Sequence, residues 1–404
     1  MRNITIGSKW RHFKGINVEV IAIAKDSEDL SEVVVYKHDG DCWVRKKDDF
    51  LSEVDHKKYP DVKQKYRFEK VEVWNKMFDT HYDLLTIAYM AYTTGNYSYL
   101  EQISKYFHDN NVTGVIANLY FMSLEEMKEE LGEKYYQEDV SVLEMFKIAK
   151  KILDTYLGDI DIVYSIEGFD FVKDCDELEK LYNEGLDSFI LCWNTENKYG
   201  SGNRSNKGLT DEGRKIINKA IDLGMGIDLS HANKETFYDL VNLIKERQAE
   251  GTEVCCYASH SNSIELCDRD RNLDDDQLRH LKEIGALVGV FSNKNFIVKP
   301  DVIKSDTDFR KEYMRHIDHI MSIVGPSNVT VATDDMDFLV ENCPDYSDLS
   351  IYEYASVGKT LLKDLTEKYD ENVSIGLLYD NAKNRIYDRL KNNRKERSRG
   401  VTIW

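Results

Sequence analysis

The sequence predicts an α/β protein: a TIM-like (β/α)8 barrel preceded by a small all-β domain. From about residue 72 onward, short apolar runs alternate repeatedly with helical patterns, as in chains built from β-α units. Residues 1–70 instead contain short runs in which polar and apolar residues alternate, which is typical of half-buried strands. With 404 residues and 42% hydrophobic content, the chain can bury one large core and one small one. We therefore expect domains at residues 1–70 and 71–404.

The small N-terminal domain is predicted from strand and turn signals. The stretch NVEVIAIAK alternates with period two, and SEVVVYK and DCWVRKK flank the dipeptide Asp39-Gly40. An Asp-Gly pair between two strand patterns is a strong hairpin signal. The stretch YRFEKVEV is a candidate closing strand, and the polar segment around Pro60 indicates a loop before it.

Eight β-α units are predicted after this domain. The helices between the strands have suitable ends: Thr210 and Asp274 can cap N-termini, and Gly224, Gly251 and Gly285 follow C-termini. Eight units favour a closed barrel, while a doubly wound open sheet is the alternative with the same alternation. The candidate strands are WNKMFDTH, VTGVIANLY, DIDIVYSIE, DSFILCWN, GMGIDLSH, EVCCYASH, ALVGVFSN and NVTVATDD.

Composition narrows the classes of partner and compartment. The net charge of -19 argues against a nucleic-acid partner, because phosphate backbones repel an acidic surface. No apolar run approaches the roughly 18 residues that a membrane span needs, and the N-terminus lacks the apolar core of a signal peptide. Seven scattered cysteines without a C-x-x-C pair indicate a reduced, cytoplasmic compartment. The basic tail KNNRKERSRG is expected to be solvated.

Chemistry-bearing side chains recur at the ends of the predicted strands. Active sites of (β/α) barrels lie at the carboxyl ends of their strands, so these residues should meet at one rim. Alone, each has an ordinary explanation as a cap or a buried polar group, but together they form a set of nitrogen and oxygen ligands suited to zinc. The residues are His81, Asp83, Glu167, His231, His260, Asp334 and Asp335.

Three histidines and two carboxylates from this set make five ligands, which are too many for one catalytic zinc, because a catalytic zinc keeps an open position. They suit two metals with a shared carboxylate, and Glu167 is the natural bridge because a carboxylate has two oxygens whereas imidazole does not easily span two ions. Two cations would lower the pKa of a bridging water and supply a metal-bridging hydroxide. The set therefore predicts a hydrolase.

Several motifs then resemble a known family. GLT-x-x-G, GMGIDLSH, SHSNS followed by RDRNLDDDQL, and HIDHI-x-x-x-VG, in this order and spacing, resemble the renal (membrane) dipeptidase family over about residues 75–390. Its members are binuclear zinc dipeptidases with a barrel of the metal-dependent amidohydrolase type. The resemblance implies that the metal ligands are His81, Asp83, Glu167, His231 and His260, all of intact type.

The same resemblance implies roles for three further positions. Asp334 would be the catalytic residue that handles protons, with Asp335 in its place if the register slips by one. Arg271 would receive the substrate carboxylate, and Arg269 is its neighbouring competitor. Trp193 stands where many members carry a histidine, and indole donates a hydrogen bond but cannot shuttle a proton. We therefore expect altered oxyanion stabilisation or substrate preference.

The N-terminal domain resembles a short bacterial domain of unknown function. Its matching elements are Trp10-Arg11-His12, Lys14-Gly15 and Trp43-Val44-Arg45. A protein-interaction or substrate-lid role fits, although ordinary packing is the simpler explanation of its aromatic residues.

The resulting prediction is a cytoplasmic metallo-dipeptidase with two zinc ions per chain and a dipeptide substrate. No nucleic-acid or membrane partner is expected, and a homodimer stays open. A hydrolase of another small amide, such as a lactam or an N-acyl amino acid, and a non-catalytic scaffold are the alternatives. His316 and His319, spaced i, i+3 before strand eight, are expected to pack structurally.

Overall fold

Two compact units make up the chain. The first is Met1–Asn75 with Leu365–Ser374, and the second is Lys76–Asp364 with Ile375–Trp404. The computed structural model describes residues 4–38, 40–60, 62–70, 76–120, 140–298, 306–334 and 357–398. A domain boundary after residue 70 stays a prediction, and no sequence pattern indicated that Leu365–Ser374 groups with the first unit.

A five-stranded antiparallel sheet forms the first unit, in the order β4-β3-β2-β1-β5. The predicted hairpin joins β3 to β4, and Gly40 in its turn has φ +86°, a conformation that glycine adopts without steric cost. Asp39 lies outside the described residues. The elements are β1 (Lys9–His12), β2 (Asn17–Lys25), β3 (Glu32–His38), β4 (Asp41–Lys46), the one-turn helix α1 (Lys47–Phe50) and β5 (Phe68–Lys70).

Aromatic and branched side chains fill the core of this unit. Trp10 is fully buried and packs edge-to-face on Phe50, which stacks on Phe68 with ring centroids 4.1 Å apart. Packing therefore accounts for Trp10. It does not account for Trp43, which is 53% exposed on the edge strand β4.

Eight parallel strands close into a barrel in the second unit, as predicted, and the open sheet is excluded. They are hydrogen-bonded in chain order, and the last strand returns to the first where Val331 pairs with Asp79. The strands are β6 (Met77–Tyr82), β7 (Val112–Tyr120), β8 (Asp161–Glu167), β9 (Ser188–Ile190), β10 (Gly226–Asp228), β11 (Cys256–Ala258), β12 (Leu287–Phe291) and β13 (Val329–Ala332).

Helices follow the strands and begin at the predicted caps. The hydroxyl of Thr210 accepts a hydrogen bond from the Gly213 amide, and Asp274 forms a complete capping box with Gln277. No helix within the described part of the chain is both long and apolar enough to cross a membrane. The helices are α2 (Leu84–Thr94), α3 (Ser98–Asn110), α4 (Val142–Leu157), α5 (Cys175–Glu184), α6 (Asp211–Asp222), α7 (Lys234–Ala249), α8 (Asp275–Glu283), α9 (Asp306–Val324), α10 (Val357–Lys368), α11 (Glu371–Ile375) and α12 (Asp388–Ser398), with π-helical turns at Gly376–Asp380 and Lys383–Tyr387.

The basic tail is only partly solvated, contrary to expectation. Lys391 Nζ lies 2.6 Å from Asp187 Oδ2, and Arg394 pairs with Asp187 Oδ1 at 3.3 Å. Asp187 is buried just before β9 and also accepts the Tyr164 amide. A buried carboxylate needs such partners, so the tail fastens α12 to the barrel.

Candidate metal centre

The five predicted ligands converge at the carboxyl ends of the barrel strands. His81 is the penultimate residue of β6, and Glu167 is the last residue of β8. His231 and His260 follow the ends of β10 and β11, and Asp83 lies between β6 and α2. The barrel thus brings residues from four different strand ends to one rim.

Glu167 occupies the centre of this group. Its Oε2 atom lies 3.1 Å from His81 Nε2, and its Oε1 atom lies 2.8 Å from His231 Nε2 and 3.8 Å from His260 Nε2. The Asp83 carboxylate is 3.9 Å from His81 Nε2. The described residues contain three candidate ligand groups, each with ligand atoms within 4.8 Å of one another. Glu167 is shared by the group with His81 and Asp83 and the group with His231 and His260, and the third group joins His81, His260 and Asp334.

Neighbouring side chains hold the second nitrogen of each histidine. His231 Nδ1 lies 3.1 Å from Asn194 Oδ1, and His260 Nδ1 lies 2.8 Å from the Ser259 hydroxyl. The same hydroxyl is 3.3 Å from His81 Nδ1. Metal-binding histidines use this arrangement, because a partner on one nitrogen fixes the ring and leaves the other nitrogen for the metal.

The donor set fits a cation. When His231 donates its Nδ1 proton to Asn194, its Nε2 lone pair faces Glu167 Oε1, and two acceptors 2.8 Å apart repel unless a positive charge lies between them. Burial, followed by the charge of Arg271, lowers the pKa of His231 to about 4, so its ring is neutral near pH 7. Within the described residues, His81 Nε2 is buried and makes no hydrogen bond of standard geometry.

The local electrostatics also favour a cation. Burial disfavours a charged His81, but Glu167, Asp334 and Asp83 outweigh it and raise the pKa of His81 to about 10. Burial likewise opposes ionisation of Glu167, yet the positive charge of His81 holds the pKa of Glu167 well below the usual range. Three carboxylates thus crowd around one imidazole, a charge balance that a divalent ion would complete.

The orientation of the Asp334 side chain does not follow from strand alternation. Strand β13 ends at Ala332, and Asp334 has a left-handed conformation with φ +52°, so side-chain parity does not extend to it. Its amide donates to the His81 carbonyl at 3.1 Å, and its Oδ1 atom lies 3.8 Å from His81 Nε2. His231 also has a positive φ, +65°, and such strained residues concentrate at functional sites. Asp335 lies outside the described residues.

Arg271 is buried beside the histidines, whereas Arg269 is exposed. Arg271 is only 6% exposed, and its guanidinium donates to the His260 carbonyl at 2.7 Å and to the Ser261 hydroxyl at 3.2 Å. It lines, together with His231, a cavity of about 230 Å³. Arg269 is exposed and donates to the Asn295 carbonyl instead.

Trp193 stands beside the histidines. Its half-buried ring is 6.3 Å from the His231 ring and packs edge-to-face on Tyr120 at 5.0 Å, with the Arg204 guanidinium over it at 5.8 Å. A Cβ atom on Gly202 would lie 1.8 Å from the Trp193 carbonyl oxygen, so only glycine permits this close approach. Gly202 thereby allows the loop after β9 to fold back against the backbone of Trp193.

Sequence reasoning missed the residues that orient the ligands. Asn118, fully buried in β7, places Nδ2 3.1 Å from His81 Nδ1, and Ser259 contacts two of the histidines. Asp79 accepts the amides of His81 and Thr333 and so ties the first barrel strand to the last. An amide in the apolar run VTGVIANLY and an aspartate in MFDTH were the available signals.

His316 and His319 lie elsewhere. His316 is fully buried, accepts the Ser263 amide at 3.1 Å and donates to the Ile297 carbonyl at 2.8 Å. Both of its ring nitrogens therefore bind backbone. His319 Nε2 lies 2.7 Å from Asp275 Oδ1. The structure is consistent with the expected packing role.

A family model described as Membrane dipeptidase (Peptidase family M19) matches residues 122–397, more than half of the chain. The chain belongs to this family. A second model, described as Protein of unknown function (DUF1653), matches residues 8–70. The membrane dipeptidase match begins after His81 and Asp83. The reason to group these two residues with the others is therefore the barrel geometry and not the family match. The match contains Glu167, Trp193, His231, His260, Arg271 and Asp334.

Curated relatives match part of the barrel. An uncharacterized protein in the pqqA 5′ region of Klebsiella pneumoniae is 32% identical over 166 residues, which are 39% of this chain and 58% of that protein. An uncharacterized dipeptidase of Schizosaccharomyces pombe is 29% identical over 184 residues, 44% of this chain and 42% of that one. The chain spans about half the length of the curated relatives it matches.

Solved structures share the fold. A metallo peptidase from Rhodobacter sphaeroides, liganded with a phosphinate mimic of the dipeptide L-Ala-D-Ala, aligns with a TM-score of 0.57 at 18% identity, over 81% of this chain and 99% of that one. A probable dipeptidase, PvdM, from Pseudomonas aeruginosa aligns with a TM-score of 0.54 at 14% identity, over 72% and 88% of the two chains. At these identities the likeness concerns the barrel fold alone.

Proposed function

We propose that the protein is a cytoplasmic dizinc dipeptidase. The observation that carries the proposal is the position of Glu167, whose Oε2 atom faces His81 and whose Oε1 atom faces His231. Two bound zinc ions would polarise the scissile carbonyl and lower the pKa of an attacking water. The cytoplasmic assignment rests on the cysteine pattern of the sequence.

Each ligand has a distinct task in this proposal. His81 and Asp83 would hold one ion, His231 and His260 would hold the other, and Glu167 would be a ligand to both. Asn194 and Ser259 keep the histidine rings oriented through their second nitrogens. Such supporting contacts commonly change metal affinity or activity by about 10–100-fold when removed.

Arg271 and the adjacent cavity bind the C-terminal part of the dipeptide. A planar guanidinium can bind a carboxylate through two parallel hydrogen bonds, and burial makes such a contact stronger than at the surface. The cavity is lined by polar side chains that include Asn203, Ser205 and Lys234. The free α-carboxylate therefore anchors on Arg271 while the peptide carbonyl lies near His231.

Asp334 moves the proton. It accepts the proton of the attacking water and passes it to the leaving amine, as a general base and then a general acid. Burial raises the pKa of the Asp334 carboxyl above its ordinary value, which makes it a better proton acceptor. Its Oδ1 atom is 3.8 Å from His81 Nε2, at the same edge of the cluster as the ligands.

Removal of metal tests the proposal. Dialysis against a strong chelator should abolish hydrolysis of dipeptides, and about two equivalents of zinc should restore it. Full activity of the metal-free protein would refute the metal mechanism. Turnover of L-L and L-D dipeptides should exceed that of N-acyl amino acids. The reverse order would favour the alternative of a hydrolase that acts on another small amide. Inactivity on all these amides by the zinc-loaded protein would favour a scaffold.

Trp193→His should raise dipeptide turnover. The change restores the residue type that the family resemblance places here, a ring whose nitrogens can donate to a developing oxyanion or carry a proton. An added donor of this kind is worth up to about 10²-fold in kcat. Steady-state kinetics measure the gain, with Trp193→Phe as the matched variant that keeps an aromatic ring without a donor. Equal kcat in both variants would show that this position does not stabilise the transition state.

A further inference from the structure

The edge strand β4 exposes apolar side chains to water. Within the described residues it pairs only with β3, through all six of its residues and without a bulge. Trp43 is 53% exposed and Val44 is 64% exposed, and Cys42 is exposed beside them. Natural edges are usually protected by inward charges, proline or bulges, because an open apolar edge promotes pairing with another strand. The centre of β4 has none of these devices.

The residues of β4 are complementary to a reversed copy of themselves. The strand starts at the acidic Asp41 and ends at the basic Arg45 and Lys46. In an antiparallel ladder, two opposed residues form either a hydrogen-bonded pair or a non-hydrogen-bonded pair, and the two kinds alternate along each strand. In a self-pairing, the two-fold axis therefore lies midway between one residue and its own copy, and the axis is named by that residue. An axis through Trp43 sets Trp43 against its own copy, Cys42 against Val44, and Asp41 against Arg45.

We propose that the protein forms a homodimer in which two β4 strands pair antiparallel around Trp43. The pairing joins the two five-stranded sheets into one continuous sheet. Aromatic and oppositely charged cross-strand pairs each stabilise a sheet. An axis through Val44 is less favourable, because it sets Cys42 against Lys46 and Trp43 against Arg45.

The charged pair at each end of the new ladder can form without breaking an existing one. Arg45 contacts the Asp49 carboxylate and the Tyr36 hydroxyl within its own chain. A guanidinium has five N–H donors, so Arg45 keeps these contacts and also binds Asp41 of the second copy. Self-complementarity of both charge and apolar pattern is the reason to assign a second copy of this chain as the occupant. The assembly is independent of the proposed catalytic function.

Sedimentation velocity over a micromolar concentration series tests the dimer with the full chain. The weight-average mass should rise from the 47.0 kDa of one chain towards twice that value. Trp43→Asp should stay at the mass of one chain, because two carboxylates would meet at the axis. Leu30→Asp introduces the same carboxylate at an exposed residue outside β4, and this variant should dimerise like the unmodified protein. A wild-type monomer at every concentration, or a dimer in Trp43→Asp, would overturn the proposal.

Cysteine cross-linking tests the register. In a Cys42→Ser background, Trp43→Cys should form an interchain disulfide on mild oxidation, since Cβ atoms of opposed residues lie about 4.5–5.5 Å apart. Val44→Cys in the same background should not, because it faces Ser at position 42. The Cys42→Ser protein alone gives the baseline on non-reducing gels. Cross-linking through position 44 but not 43 would overturn the assigned pairing.

Discussion

Glu167→Gln should abolish metal retention and dipeptide hydrolysis together. The Glu167 carboxylate lies 3.1 Å from His81 Nε2 and 2.8 Å from His231 Nε2, so it is the one side chain that both ligand sets share. An amide has no negative charge and only one acceptor oxygen. Losing the metals removes several kcal/mol of transition-state stabilisation, a drop in kcat of about 10³-fold or more. Metal content and initial rates are measured on the same preparation.

Asp159→Asn is the matched control for this change. Asp159 Oδ2 lies 2.9 Å from His108 Nε2 on the surface of the barrel unit, so the variant also converts the carboxylate of a histidine-carboxylate pair into an amide. Exposed pairs contribute little to stability, and Asp159→Asn should retain both metal and rate. A Glu167→Gln protein with full metal content and normal turnover would remove Glu167 from the mechanism.

Arg271→Met should lower kcat/KM for dipeptides by about 10²–10³-fold, mostly through KM. The loss corresponds to one partner of a buried charged pair, about 2–5 kcal/mol. A buried site built to bind a charged group discriminates strongly against its absence. Dipeptide amides, which lack the free carboxylate, provide the diagnostic comparison: they should be poor substrates for both proteins, and the substitution should cost them little.

Arg269→Met controls for the loss of a nearby positive charge. Arg269 is exposed and donates only to a backbone carbonyl within the described residues, so its loss should leave KM within about two-fold of the original value. Equal effects of the two substitutions, or an undiminished Arg271→Met penalty on dipeptide amides, would contradict carboxylate binding by Arg271.

Local patterns predicted the barrel because they act over short distances. Apolar runs, the cap at Thr210 and the capping box at Asp274 each depend on residues within a few positions of one another. The strand-end rule then brought His81, Glu167 and His231 together, since the carboxyl ends of parallel strands share one rim. The distances between these side chains depend on closure of the eight-stranded barrel, which the pattern of a single strand does not encode.

Contacts between distant segments escaped prediction. The Asn118 amide meets His81 across neighbouring strands, and Ser259 meets His81 across the barrel mouth. Lys391 forms an ion pair with the buried Asp187, although composition alone suggested that the tail containing Lys391 is solvated. The left-handed Asp334 also breaks the alternation from which its orientation was inferred. Each depends on tertiary packing, for which the sequence provides only weak local signals.

Glu167 is proposed to be the shared ligand of two metal ions. Crystals grown with zinc and measured at the zinc absorption edge test it most directly. Two anomalous peaks about 3.5–4 Å apart are expected, one beside His81 and Asp83 and the other beside His231 and His260. A single peak, or no peak in contact with Glu167, would contradict it.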